Sequence, residues 1–338
     1  MTSLEAAGKR DPNLRLGPRE PIPKRGDSVA TKVQAAERKS AKQSEAAAPM
    51  QVYINGEFFP EGEAKVSVFD HTLLYGDGVF EGIRAYGGCI FRLSQHLDRF
   101  IDSAKVIMLD LPWSKEAMAE AVAETVRRNG LRDAYIRLLC TRGTGTLGLA
   151  PWNCSNPQLI VIAAKIRLYP EQAYREGLKI VTAPTLRNRI DALNGRVKSC
   201  NYLNNIMAKI EARNGGCDEA IMLDSSGFVV ECTGDNIFLV KEKVITTPPA
   251  YLGTLKGVTR DCIIEIAREK GYTVIEEPFT RYEVFTADEC FLTGTAAEVI
   301  AVTEVDKRKI GSGKPGAIAR DLEAEFRRRA TTDGHQVY

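Results

Sequence analysis

The sequence predicts a mixed α/β protein of two domains that follow an unstructured N-terminal extension. Three observations carry this reading. The chain has 338 residues, more than one hydrophobic core usually supports, and 44% of them are apolar, enough to fill two. Apolar runs of strand length alternate along it with faces of helical period. Its first 49 residues show neither period and are dominated by Lys, Arg, Glu, Ser, Ala and Pro, so they bury too little surface to offset the entropy of ordering.

That extension holds ten Lys and Arg but also Glu5, Asp11, Glu20, Asp27, Glu37 and Glu45. Organellar transit peptides are poor in acids, so residues 1–49 read as a disordered tail, with Met50 as an alternative start. Order is expected to begin at Val52-Tyr53-Ile54, where Asn55-Gly56 supplies the positive φ angles of a tight hairpin before Phe58-Phe59. From Ser94, Leu97, Phe100, Ile101, Ala104 and Met108 fall on one helical face. A second helix is bounded by two cap residues, Ser114 and Gly130. Strands follow at 134–140 and 159–164, closing a small α/β domain over residues 50–164.

Residues 165–176, with Tyr169-Pro170 inside them, break the apolar pattern and read as a linker. A larger domain, 177–338, opens with the strand 178–181. Leu203, Ile206, Met207 and Ile210 form a helix face that stops near Gly215, and strands are expected at 220–223, 228–231 and 237–240. A helix spans about 258–270 and ends at Gly271, and the last helix covers roughly 317–328.

Composition excludes several functions. Forty-six basic residues against 44 acidic ones leave a net charge of +2, too little field to hold nucleic acid. Eight scattered cysteines form no Cys-x-x-Cys pair, and only His71, His96 and His335 could join them, so no metal site is expected. No apolar run reaches membrane length and no secretory signal is present, which points to reduced thiols in a cytoplasm-like compartment.

Two motifs mislead. Gly143-Thr144-Gly145-Thr146-Leu147-Gly148 matches a dinucleotide fingerprint, but that works only where a helix begins at the glycines, and Ala150-Pro151-Trp152-Asn153 is loop chemistry. Gly311-Ser312-Gly313-Lys314 imitates the end of a P-loop, yet Pro315 stands where the magnesium-binding hydroxyl belongs.

Four other segments can carry chemistry, each weakly by itself. Lys198 lies between a loop and the helix bearing Leu203. Glu231 ends an apolar run before the small residues Thr233-Gly234. Gly257-Val258-Thr259-Arg260 opens a helix after a loop, where free N–H groups favour an anion. Gly294-Thr295-Ala296-Ala297 follows a strand and lets backbone approach a ligand closely. Arg99, on the first helix, stands beside Asp98 and Asp102 and equally suits a surface ion pair.

In order and spacing these segments resemble the class IV aminotransferases, the fold-type IV enzymes that include branched-chain and D-amino-acid aminotransferases and aminodeoxychorismate lyase. The resemblance runs from about Val52 to Phe326. It is strongest to the branched-chain members, through Tyr75-Gly76, Phe80-Glu81-Gly82-Ile83-Arg84, Tyr135-Ile136-Arg137, Lys198 with Asn201-Tyr202, Glu231 before Gly234-Asp235-Asn236, Gly257-Val258-Thr259-Arg260 and Gly294-Thr295-Ala296-Ala297-Glu298. It departs at Cys232, where a glycine is common, and at Lys256, which replaces a frequent proline.

The resemblance implies a two-domain fold-type IV enzyme that uses pyridoxal 5'-phosphate at the domain interface, as a homodimer or larger homo-oligomer in which a second subunit completes the site. Lys198 is then the Schiff-base lysine, Glu231 the partner of the pyridine nitrogen, and Tyr202 the partner of the cofactor's phenolic oxygen. Arg99 binds the phosphate together with the segments at Gly257, Val258 and Thr259 and at Gly294 and Thr295. Tyr135 and the turn at Thr295-Ala296 hold the substrate α-carboxylate, and Arg137 receives the distal carboxylate of glutamate. Phe80, Gly82 and Tyr75 line the side-chain pocket, and Arg84 joins the substrate-binding set. The implied reaction moves an amino group from L-leucine, L-isoleucine or L-valine to 2-oxoglutarate. Phe80-Glu81-Gly82-Ile83-Arg84 argues against the D-amino-acid and lyase alternatives, and the presence of both Lys198 and Glu231 against a non-catalytic cofactor-binding protein.

Overall fold

The computed structural model describes residues 49–166 and 168–338. The expected disordered tail, apart from Pro49, lies outside them. Residues 49–338 form one compact unit built on two β-sheets.

The first sheet begins with the hairpin β1 (Gln51–Ile54) and β2 (Glu57–Pro60), joined by Asn55 and Gly56 at positive φ as the sequence demands. After a short helix α1 (His71–Tyr75) come β3 (Gly78–Tyr86), β4 (Cys89–Phe91), helices α2 (Leu93–Val106) and α3 (Lys115–Arg128), and strands β5 (Ala134–Thr141) and β6 (Gln158–Ala164). Ser114 caps α3 by accepting from the Ala117 N–H, and Gly130 follows its end in the left-handed region. Pairing is antiparallel throughout, in the order β4-β3-β5-β6-β1-β2. Strand alternation divides the residues of β3 and β5 between two faces. Val79, Ile83, Ile136 and Leu138 pack on Leu97, Phe100, Met118 and Val122 of the two helices, leaving Phe80, Gly82, Tyr135 and Arg137 to the opposite face.

The second sheet is mixed. In chain order its surroundings are α4 (Glu171–Glu176), β7 (Leu178–Thr182), α5 (Leu203–Asn214), β8 (Glu219–Leu223), β9 (Val229–Cys232), β10 (Asn236–Lys241), β11 (Val244–Thr247), α6 (Val258–Glu269), β12 (Thr273–Glu276), α7 (Arg281–Thr286), β13 (Glu289–Gly294), β14 (Glu298–Val305), β15 (Arg308–Lys309) and α8 (Ala317–Ala330). The strand order is β12-β11-β10-β13-β14-β7-β8-β9, with β15 on β14. Both faces are covered. Ile237 and Leu239 of β10 join the core with Val284 of α7, while Phe238 and Val240 point oppositely onto Cys262 and Ile263 of α6 and Leu322 and Phe326 of α8.

Two features depart from the sequence reading and a third goes beyond it. The stretch 165–176 is not all connection: it contains α4, and Tyr169 just before it is buried. The last strand, β16 (Gly334–Gln336), returns to pair with β4, so the chain ends in the first sheet. On α5 the apolar row does not face inward. Asn205, Ala208 and Ala212 are the buried residues, and Leu203, Ile206, Met207 and Ile210 are each about half exposed or more.

Candidate active site

A cavity of about 710 Å³ lies between the free face of β3 and β5 and a wall made by the β9–β10 turn, the start of α6 and the β13–β14 turn. Lys198 enters it from an irregular segment that is docked along β3. The Lys198 carbonyl accepts from the Phe80 N–H at 3.1 Å, its own N–H donates to Ser103 Oγ at 3.1 Å, and the Cys200 N–H donates to the Gly78 carbonyl at 2.8 Å. The Nζ atom is thereby held 3.0 Å from the Tyr202 hydroxyl and 4.5 Å from the Phe80 ring centroid. Tyr202 precedes α5, and its ring meets Phe80 edge to face at 5.0 Å.

Across the cavity, Glu231 is a buried carboxylate with a full set of donors. Arg187 Nε donates to it at 2.8 Å, the Leu255 N–H at 2.9 Å and the Thr254 hydroxyl at 3.1 Å. Arg187, Thr254 and Leu255 were not anticipated: they lie in loops, where periodicity gives no signal, and Arg187 is 44 residues from Glu231.

Arg99 reaches the cavity from α2. Its partner is neither Asp98 nor Asp102 but Glu81 on the inner row of β3, held by two parallel hydrogen bonds of 2.7 Å, with a third from Arg99 Nη1 to the Lys256 carbonyl at 2.8 Å. His96 Nδ1 lies 2.8 Å from the same carboxylate. Burial alone would raise the Glu81 carboxyl, but the charges of Arg99 and His96 outweigh it and hold it well below the usual carboxylate range. Burial pushes His96 the other way, towards its neutral form. A signal existed in the sequence: strand alternation puts Glu81 in the same row as Val79 and Ile83, and a charge in a buried row requires a partner.

Two glycines shape the opposite wall. A Cβ on Gly257 would sit 2.1 Å from Asn236 Oδ1, and one on Gly294 would sit 2.0 Å from Asp235 Oδ1, so no other residue fits either position without moving the wall. Gly257 begins α6 with no side-chain cap, which leaves the N–H groups at Val258 and Thr259 to a ligand. Thr295 and Ala296 form the tip of the β13–β14 hairpin and border the cavity. Just behind them, the buried Thr293 hydroxyl has no hydrogen-bond partner among the described residues.

On the β5 side, Arg137 stacks over Phe80 at 4.4 Å and beside Tyr135 at 5.6 Å. Among the described residues it forms no ion pair. The room above Gly82 is taken by the Tyr135 hydroxyl, 2.4 Å from where a Cβ would be, so this glycine accommodates the tyrosine rather than a substrate branch.

Two expected substrate residues lie elsewhere. Tyr75 is on α1, exposed, with its hydroxyl accepting from the Gly148 N–H at 3.0 Å and its ring against His71. It does not border the cavity of its own chain. Arg84 is drawn behind the Thr295–Ala296 turn by Glu298 at 3.1 Å and donates to the Ala296 carbonyl at 3.4 Å. It supports the turn from outside. Cys200 and Cys232 do border the cavity, but burial raises both thiols, Cys200 to about 11 and Cys232 well above its ordinary value. They are poor nucleophiles at neutral pH.

The chain matches the Amino-transferase class IV family over residues 78–305. It is 52% identical over 289 residues to a protein of Methanocaldococcus jannaschii, covering 86% of this chain and 99% of the relative. It is 40% identical to the branched-chain-amino-acid aminotransferase of Pseudomonas aeruginosa, over 81% and 91% of the two chains. The fold agrees with that of the T.th. branched-chain amino acid aminotransferase, solved in complex with N-(5'-phosphopyridoxyl)-L-glutamate, at a TM-score of 0.80 with 40% identity, covering 84% of this chain and 95% of that one. A cavity that sets a lysine opposite a buried carboxylate, within this fold and at these identities, places the chain in the class IV aminotransferase family.

Proposed function

We propose that this protein transfers the amino group of L-leucine, L-isoleucine and L-valine to 2-oxoglutarate, using pyridoxal 5'-phosphate. The observation that carries the reading is the pairing of an aromatic wall with an uncommitted cation: Phe80 and Tyr135 suit a branched aliphatic chain, and Arg137 is free to meet a distal carboxylate. The residues present fit the cofactor. Gly257 and Gly294 let the Asn236 and Asp235 side chains pack tightly into the cavity wall, the start of α6 and Arg99 suit a phosphate, and Glu231 suits a cationic ring nitrogen.

When bound, the cofactor supplies a ring that accepts the electron pair left as the substrate α-proton departs. The chain's own groups do the rest. Lys198 Nζ would anchor the cofactor and would take up and return the substrate α-proton. The Tyr202 hydroxyl, 3.0 Å from that Nζ, orients it. Glu231, held in place by its three donors, would pair with the ring nitrogen. Tyr135 and the Thr295–Ala296 turn receive the α-carboxylate. Amino donor and keto-acid acceptor use the same cavity in succession, in a ping-pong order.

A homodimer is part of the proposal. The exposed apolar row of α5 continues the cavity rim through Ile206, and Phe69, Leu73 and Trp152 are also exposed. A second copy seated there would cover these residues and could bring Tyr75 to a site that its own chain does not give it. All eight thiols are free, in keeping with a reducing, cytoplasm-like compartment, and no described helix is long and apolar enough to cross a membrane.

The deciding experiment is a panel of L- and D-amino acids with 2-oxoglutarate on the holoenzyme. Turnover of L-leucine, L-isoleucine and L-valine supports the reading. Activity confined to D-amino acids would overturn it in favour of the D-amino-acid enzymes of the same family.

A further inference from the structure

The cavity wall beside Gly294 contains more buried negative charge than it has cations to match. Asp235, in the β9–β10 turn, and Glu219, at the start of β8, are both buried and both border the cavity. Among the described residues Lys209 of α5 is the cation that pairs with them, 2.8 Å from Glu219. The Tyr169 hydroxyl lies between the carboxylates, 3.4 Å from Glu219 and 3.5 Å from Asp235, and a single phenolic proton serves one of them at a time. The other charged or titratable groups facing Asp235 are Glu231 and Cys232 on β9 and Tyr174 on α4. Glu231 is already matched by Arg187.

The hydrogen bonds decide which carboxyl is the neutral one. Glu219 accepts from the Ala220 and Thr233 N–H groups at 2.8 Å each, besides Lys209, so its charge is fully solvated by the protein. Among the described residues the Asp235 carboxyl has only the long contact to Tyr169, and its other oxygen abuts Gly294. An ionised carboxylate so placed is far costlier than a carboxylic acid.

We propose that Asp235 is a carboxylic acid in the substrate cavity that must stay protonated for a carboxylate substrate to bind, so that each such ligand binds with uptake of a proton. The inference rests on the aminotransferase reading above, since it takes the cavity's ligands to be amino and keto acids. Burial, followed by the neighbouring charge of Glu219, raises the Asp235 carboxyl to about 7, within the working range of most enzymes. Below that pH the wall is neutral apart from the Lys209–Glu219 pair. Above it, an anion faces the incoming carboxylate. Asp235 is thus a positioning residue for specificity and pH response, with no bond made or broken at its oxygens.

The test uses the holoenzyme and 4-methylvalerate, a branched carboxylate that lacks an amine and so binds without turnover. Calorimetry at pH 6 to 8, repeated in two buffers of different ionisation enthalpy, reads affinity and proton uptake together. Wild type should lose about tenfold in affinity from pH 6 to pH 8, the change expected when only the protonated form of a group titrating near 7 binds, and should take up about half a proton per ligand at pH 7. Asp235→Asn, which keeps the shape and the donor but cannot ionise, should hold the pH 6 affinity across the range with no uptake. Glu219→Gln, which removes the neighbouring anion, should move the midpoint to lower pH, and this readout stands even if Asp235→Asn folds poorly. A flat wild-type profile, an unchanged slope in Asp235→Asn, or affinity lost at every pH in that variant would each overturn the inference. Failure to bind pyridoxal 5'-phosphate, seen in its absorbance, would instead overturn the functional reading on which it rests.

Discussion

Lys198 is committed to one geometry by its backbone. The hydrogen bonds to Phe80, Ser103 and Gly78 fix the segment along β3, and the side chain then reaches only Tyr202 and Phe80. Lys198→Ala should still fold and yet lose turnover completely, because both the anchor and the proton carrier are gone; full activity would refute the role. Arg137 has aromatic faces but no carboxylate for company. Arg137→Met should therefore lose on the order of 2 to 5 kcal/mol of transition-state stabilisation for glutamate, the range for stranding one partner of a buried ion pair, and much less for leucine. Half-reaction kinetics with the two amino acids check this, and equal losses would exclude it. Glu81 makes a stability prediction. Its folded-state pKa is depressed, so its contribution is fully present above the ordinary carboxylate value of 4.5 and is lost progressively as the pH falls from there toward the depressed folded-state value. Glu81→Gln strands a buried Arg99, which should cost about 3 kcal/mol near neutral pH and loosen the cofactor, whereas at pH 4 the gap from wild type should narrow. Thermal melts at the two pH values read it directly.

Among the elements, α6 and the β13–β14 hairpin decide how closely a phosphate can approach. Both are preceded or closed by a glycine that touches the Asp235–Asn236 turn. Asn236 donates to Thr254 Oγ1 at 3.0 Å and to the Leu255 carbonyl at 2.8 Å, and those residues in turn hold Glu231. A methyl at position 257 therefore disturbs the start of α6 and the Glu231 shell together. Gly257→Ala should weaken cofactor binding by about 1 to 3 kcal/mol, the usual cost of overpacking, with only a small change in melting temperature. Equilibrium dialysis of the cofactor measures it. Several elements were legible in the sequence, α2, α3, β5 and β10 among them, because they carry clear periods, whereas β3 was not expected as a strand. The α4 turn was missed since six residues bounded by Pro170 and Gly177 are too short for a period to emerge. The apolar row of α5 was legible as a face but its direction was not, because an apolar stripe says that a face will be covered, not by what.

For the molecule as a whole, the exposed row on α5 makes association the expected state. Ile210→Asp would place an unpaired charge in that contact, worth about 3 kcal/mol, and should weaken self-association on the order of 100-fold. Sedimentation of the wild type and the variant tests this, and a wild type that is monomeric at micromolar concentration would refute the proposed dimer. Removal of residues 1–49 should leave melting temperature and turnover intact, because the segment has no apolar period with which to pack on a core.

The sequence by itself determined the α/β class, most elements and the residue set of the family: Lys198, Glu231, Arg99 and the two glycine-bearing turns stand in a recognisable order. These are legible because periods and turn chemistry act between near neighbours in the chain. What only the tertiary structure decided is which of these residues meet. It brought Arg187 onto Glu231, Glu81 onto Arg99, and Asp235 beside Glu219, and it kept Tyr75 and Arg84 out of the cavity wall of their own chain. These contacts join residues that are not near neighbours in the chain, and which of them form is decided by the packing of two sheets rather than by any local preference of the chain.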